Sequence, residues 1–116
     1  MVTLKLPFPP TVNNITAVVR GRKITSKRGR QYREQAMQLI KEQYDDAPLS
    51  GRLSVRIELH PPCRRTRDID NYSKAPLDAI TKAGLWLDDE QIDRLTVKRC
   101  EIVPGGACVV HIEEVE

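Results

Sequence analysis

Apolar and polar residues alternate from Val2 to Leu6, the period of a strand with one face buried. Pro7-Phe8-Pro9-Pro10 stops that strand, because proline has no amide to give a ladder. Asn13-Asn14 continues the turn, and a short extended stretch is expected over 17–24. Ser26 is an N-cap signal for a helix running to about residue 44, whose apolar positions Tyr32, Ala36, Leu39 and Ile40 keep helical spacing beside Met37. Gly29 weakens the first turn and moves the expected start toward Arg30, and Asp45-Asp46-Ala47-Pro48 ends the helix.

Leu53, Val55, Ile57 and Leu59 alternate with Ser54, Arg56 and Glu58, a half-buried strand closed by His60-Pro61-Pro62. Asp70 then reads as the N-cap of a second helix carrying Ala75, Leu77, Ala79, Ile80 and Ala83, stopped by Gly84. Pro76 lies inside it and predicts a distorted opening turn. Two late strands, roughly 94–103 and 108–115, flank Pro104-Gly105-Gly106, a turn suited to a hairpin. The order strand, helix, strand, helix, strand, strand predicts an α+β fold: one small domain over 1–116, a mostly antiparallel sheet packed with two helices.

Charge changes the picture. Residues 1–67 hold 14 Lys or Arg against 5 Asp or Glu, whereas residues 68–116 hold 5 against 11. A basic half followed by an acidic half suggests a phosphate-gripping surface joined to a metal-holding one. Arg20, Arg22, Lys23, Lys27, Arg28, Arg30 and Arg33 follow one another with no acid among them, which favours nucleic acid over an ordinary solvated helix face. Aromatic residues are scarce, so duplex backbone and shape fit better than stacking along a single strand. At 116 residues, burial in a partner interface would add to a modest core, which favours a homodimer. No apolar run is long enough for a membrane span, the start lacks a signal-peptide pattern, and the three unpaired cysteines read as reduced thiols, so the expected setting is cytoplasmic.

The candidate chemistry lies between Arg64 and Glu90. The basic run Arg64, Arg65, Arg67 leads into Asp68, Asp70, Asn71 and Lys74, and Asp88-Asp89 follow the second helix. On an extended segment Asp68 and Asp70 would point to the same side, with Lys74 one helical turn beyond. Crowded carboxylates repel unless a divalent cation sits among them, and hard oxygen ligands beside arginines suit Mg²⁺ or Mn²⁺ and phosphate chemistry. The plain alternatives are a helix cap at Asp70, a solvated turn at Asp88-Asp89 and a surface lysine at Lys74. A helix of about fourteen residues would hold the two acidic pairs about 20 Å apart, so they meet only if the chain after Gly84 folds back or a second subunit intervenes.

The segment from Arg64-Arg65-Thr66-Arg67-Asp68-Ile69-Asp70-Asn71-Tyr72-Ser73-Lys74 to Leu77-Asp78-Ala79-Ile80-Thr81-Lys82-Ala83-Gly84-Leu85-Trp86-Leu87-Asp88-Asp89-Glu90-Gln91 resembles the core motif of RusA-type Holliday junction resolvases. The likeness extends to Pro7-Phe8-Pro9-Pro10, Asn13-Asn14, Arg20-Gly21-Arg22 and Tyr32-Arg33, and covers nearly the whole chain. It departs in the length of the segment between Pro10 and Arg20, and in Phe8, where tryptophan is commoner.

The resemblance implies an intertwined homodimeric endonuclease of bacterial, phage or prophage origin. Such an enzyme resolves four-way DNA junctions by paired nicks, using Mg²⁺ with Mn²⁺ as a substitute, and leaves 5′-phosphate and 3′-hydroxyl ends. By the match, Asp68, Asp70 and Asp89 would hold metal and carry the chemistry with Lys74, and Asp88 ranks below Asp89. Arg20, Arg22, Lys23, Lys27, Arg28, Arg30, Arg64, Arg65, Arg67 and Asn71 would contact DNA. Three alternatives stay open at this point: a non-catalytic protein that binds branched DNA, a nuclease for forks and flaps, and a small self-associating interaction protein.

Overall fold

A computed structural model describes residues 1–115. Its strands are β1 (Val2–Leu6), β2 (Thr16–Val19), β3 (Arg22–Thr25), β4 (Arg52–His60), β5 (Ile92–Arg99) and β6 (Ala107–Val115). Its helices are α1 (Lys27–Gln43) and α2 (Lys74–Ala83), and single 3-10 turns sit at Val12–Asn14, Ile69–Asn71 and Asp89–Gln91. β1, β6, β4 and β5 form one sheet in that order, antiparallel except for the β4–β5 pair, while β2 and β3 form a separate hairpin. The expected α+β architecture holds.

The core lies between the four-stranded sheet and the two helices. Alternation in β4 drives Leu53, Val55, Ile57 and Leu59 into it, beside Leu4 and Leu6 of β1 and Cys108, Val110 and Ile112 of β6. The helices contribute Tyr32, Ala36 and Ile40 from α1 and Ala75, Ala79 and Ile80 from α2. Trp86 is fully buried and satisfies its indole N–H on Thr81 Oγ1 at 2.7 Å. At the open edge of β1, the Gln43 amide pairs with both backbone groups of Lys5, at 2.7 and 2.8 Å, and so covers an otherwise unpaired edge.

Four local expectations are corrected. α1 begins at Lys27, because Ser26 Oγ accepts from the Gly29 amide at 2.9 Å and caps the first turn. Gly29 is a close approach rather than a defect: a Cβ there would lie 2.6 Å from the Ile15 carbonyl oxygen. The N-cap of α2 is Ser73, not Asp70, which belongs to the 3-10 turn; Pro76 therefore falls in the first helical turn, where its missing amide costs nothing. Gly84 ends α2 in the left-handed conformation (φ 83°), as its position predicts.

The late strands do not form a hairpin with each other. β4 lies between them, pairing parallel with β5 and antiparallel with β6. After Arg99 the chain keeps following the end of β4, through Cys100 N–H to the Leu59 carbonyl (2.8 Å) and Val103 N–H to the Pro61 carbonyl (3.1 Å). It then turns at Val103–Gly106 and returns on the far side.

Candidate active site and nucleic-acid interface

The segment from the end of β4 to α2 carries Asp68 and Asp70, both exposed. Asp68 is extended and Asp70 lies in a 3-10 turn, so the expectation of one extended run with both carboxylates on one side does not hold. The turn has about three residues per revolution, which rotates residues two apart away from one another. Asn71 is half-buried and its backbone amide donates to the Asp68 carbonyl at 3.2 Å.

Arg67 fixes the approach to these acids. Its guanidinium donates to the Cys63 carbonyl (3.0 Å), the Arg65 carbonyl (3.1 Å) and Cys63 Sγ (3.4 Å), and its Cζ lies 5.4 Å from the Phe8 ring centre. Arg99 of β5 donates to the Arg67 carbonyl and ties the segment to the sheet. Hydrogen bonding from Arg67 stabilises the thiolate and holds the Cys63 thiol below its usual range. Arg64 and Arg65 are exposed beside it.

Lys74 opens α2 and pairs with Asp78 one turn on, Nζ to Oδ2 at 3.3 Å. The 3-10 turn that carries Asp89 packs against α2. Burial pushes the Asp89 carboxyl up, helped by the neighbouring carboxylates of Asp88 and Asp78, while Lys74 pulls the other way. The chain after Gly84 folds back against α2, but among the described residues Asp89 does not join Asp68 and Asp70 in a group of three carboxylates. Leu85 and Trp86 bury in the core, Trp86 bridges to Leu49, and α2 at 10 residues is shorter than expected, about 15 Å.

Sequence reasoning missed the residue that holds this return. Gln91 is buried; its Oε1 accepts from the amides of Leu87 (2.8 Å) and Asp88 (2.9 Å), and its Nε2 donates to the carbonyls of Leu49 (3.0 Å) and Gly51 (2.9 Å). The Asp88 carboxylate accepts from the Glu90 amide at 2.9 Å and closes a capping box with Gln91. Asp-x-x-Gln is the sequence signal for that arrangement. With Asp88 engaged in capping, Asp89 is the freer carboxylate of the pair. Asp78 was also missed, although it stands at i+4 from Lys74.

Among the described residues, no group of three or more His, Cys, Asp or Glu side chains converges as a ready-made metal cage. The donor chemistry nonetheless fits a hard divalent cation, which is commonly held by one or two carboxylates with substrate phosphate completing its shell. Exposed carboxylates at Asp68, Asp70 and Asp89 supply such oxygens.

The basic residues lie on the β2–β3 hairpin, the start of α1 and the segment after β4. Arg20 occupies the β2–β3 turn with φ 51°, next to Gly21, and Arg22 and Lys23 follow on β3. Lys27, Arg28 and Arg30 fill the first turn of α1, which contains no acid. Cations at the positive end of a helix dipole are unfavourable for the isolated fold, so their placement there points to an anion. A groove of about 390 Å³ runs between Pro7–Pro10 and α1, with Arg28, Arg65 and Arg67 on its walls.

The family model for Endodeoxyribonuclease RusA matches residues 7–113. The chain belongs to the RusA endodeoxyribonuclease family. It is 40% identical over 112 residues to the crossover junction endodeoxyribonuclease RusA of Escherichia coli (strain K12), covering 97% of this chain and 93% of that protein. A relative from Enterobacteria phage 82 with the same description is 40% identical over 111 residues, covering 96% and 92%. The Shigella sonnei (strain Ss046) protein is likewise 40% identical over 112 residues, covering 97% and 93%. RusA membership makes this chain a nuclease and implies dependence on a divalent metal. No helix among the described residues is long and apolar enough to cross a membrane.

Proposed function

We propose that this RusA-family nuclease resolves four-way DNA junctions by paired symmetric nicks, working as a homodimer with residues 1–116 as its single domain. The observation that carries the reading is the match to the RusA family model over residues 7–113, with relatives named for crossover junctions. Phage and bacterial relatives fit a prophage origin and a cytoplasmic setting.

In this reading Asp68, Asp70 and Asp89 hold Mg²⁺, for which Mn²⁺ substitutes. The ion, when bound, supplies an activated water and charge neutralisation at the phosphate. Lys74 orients or neutralises the phosphoryl oxygens, and Asp78 holds its ammonium in place. Arg67, next to Asp68 in the chain and pinned by Cys63 and Arg65, offers a fixed positive charge. Arg64, Arg65 and Asn71, with Arg20, Arg22, Lys23, Lys27, Arg28 and Arg30, grip the arms through phosphate contacts. Two such sites related by a two-fold axis would match the symmetry of the junction.

The test separates holding from cutting. Asp70→Asn removes a negative charge from an exposed position and leaves the basic surface intact. The variant should bind a synthetic junction as tightly as wild type in a gel-shift assay and fail to nick it. Loss of binding, or nicking at the wild-type rate, would refute this division of roles.

A further inference from the structure

The groove beside the Pro7-Phe8-Pro9-Pro10 turn has a lining that cutting alone does not require. Its volume of about 390 Å³ is at the small end of ligand clefts, enough for one nucleotide and too little for duplex. No carboxylate side chain lines it, while Arg28 and Arg65 do. Arg28, Gln31 and Gln35 follow at i, i+3 and i+7 along α1, one stripe facing the groove. Gln43 and Gln91 spend their amides on backbone groups, but Gln31 and Gln35 are exposed and make no side-chain hydrogen bond among the described residues.

One wall is aromatic. The Phe8 ring lies 5.1 Å from Tyr72, tilted by 50°, and the Arg67 guanidinium sits against Phe8 with three hydrogen bonds to Cys63 and Arg65. A planar cation pinned in this way is a fixed surface on which a ligand can stack. Single-stranded bases are held in the same manner, stacked on aromatic or guanidinium planes while amides read their edges. Amides, fixed planes and arginines without a carboxylate together suit a nucleotide better than an acidic peptide, which would need neither the planes nor the edge-reading groups.

We infer that this groove takes up one unstacked nucleotide of the bound DNA, its base against the Phe8–Arg67 wall, its edge read by Gln31 and Gln35, its phosphate on Arg28 and Arg65. The inference rests on the branched-DNA reading above, and taking one base out of its stack costs less where its pairing is already broken. Arg67 adjoins Asp68 in the chain, so the base taken up here would set which phosphate lies at the carboxylates. Gln31 and Gln35 are then specificity-determining residues that touch no reacting atom.

The experiment uses the full chain and four-way junctions carrying 2-aminopurine at each position flanking the crossover, in chelator so that nothing is cut. Binding should raise the fluorescence at one position several-fold. Junctions that differ only in that base should compete with affinities differing on the order of tenfold, and Gln31→Ala/Gln35→Ala should flatten that preference. Binding with no fluorescence rise at any position, or an intact preference in the double variant, overturns the inference. If the rise and the preference appear but Mg²⁺ brings no cutting, the subsite stands and the nuclease assignment falls. Failure to bind any junction overturns both.

Discussion

Gln91 and Asp88 cap each other: Gln91 Oε1 accepts the Asp88 amide at 2.9 Å, and the Asp88 carboxylate accepts amides of the turn that follows. The other end of Gln91 is bonded to Leu49 and Gly51, just before β4. One buried side chain thus joins the loop that presents Asp89 to the start of the central strand. This explains how the turn carrying Asp89 is held against α2.

Gln91→Ala leaves two amides and two carbonyls without these partners in a buried setting. Losses of this kind are expected to cost about 3 kcal/mol in all. Urea denaturation should show that loss, and cutting should fall while junction affinity stays near wild type. A variant with unchanged stability would show that the loop is held by something else.

Much of this was legible along the chain, for local reasons. Ser26 caps α1 with its own hydroxyl, Gly84 ends α2 at positive φ, and the alternation of Leu53 to Leu59 marks β4. What pattern reasoning could not reach was non-local. Alternation says that β5 and β6 are strands but not that β4 lies between them, and the Pro104-Gly105-Gly106 turn looks the same in either topology. Gly29 reads as a weak helical residue until Ile15 is found against it, and the role of Gln91 depends on Leu49 and Gly51, some forty residues earlier in the chain. Asp68, Asp70 and Lys74 were visible as candidates, whereas the pairing of Lys74 with Asp78 emerged only from the packed helix.

Salt should report the arms of the interface. Arg22 and Lys23 are exposed on β3. If both contact phosphate, Arg22→Ala/Lys23→Ala should weaken junction binding for every sequence alike. It should also reduce the slope of log affinity against log salt by about 2. Binding titrations between low and moderate salt measure this directly; an unchanged slope would remove the hairpin from the interface.

The outer sheet face carries a pH-dependent contact. His111 Nε2 donates to Glu58 Oε1 at 2.7 Å, and this bond holds the Glu58 carboxyl below its ordinary range. A carboxyl lowered by folding stabilises the native state above its unfolded value, and that stability is lost as pH falls through the folded value. Glu58→Gln should therefore cost about 1 kcal/mol near neutrality, and the gap from wild type should close below the ordinary glutamate range. Denaturation midpoints measured across pH 3–7 would test it, and a gap independent of pH would contradict the assignment.

The thiols should differ in reactivity. Arg67 lowers the pKa of exposed Cys63, whereas burial pushes Cys108 up to about 12. An aromatic disulfide reagent near pH 7.5 should label Cys63 first and Cys108 only on unfolding. Arg67→Ala should slow the first phase. Peptide mapping of the labelled sites distinguishes the two, and early labelling of Cys108 would mean that the core opens more readily than its packing suggests.

The central claim is that this chain cuts branched DNA in a metal-dependent way. It is tested most directly by mapping nicks on a labelled four-way junction and on a linear duplex of the same sequence, with Mg²⁺, with Mn²⁺ and with chelator. Paired nicks should appear at symmetric positions on the junction, with none on the duplex and none in chelator. Equal cutting of duplex and junction, or binding without cutting under either metal, would contradict it.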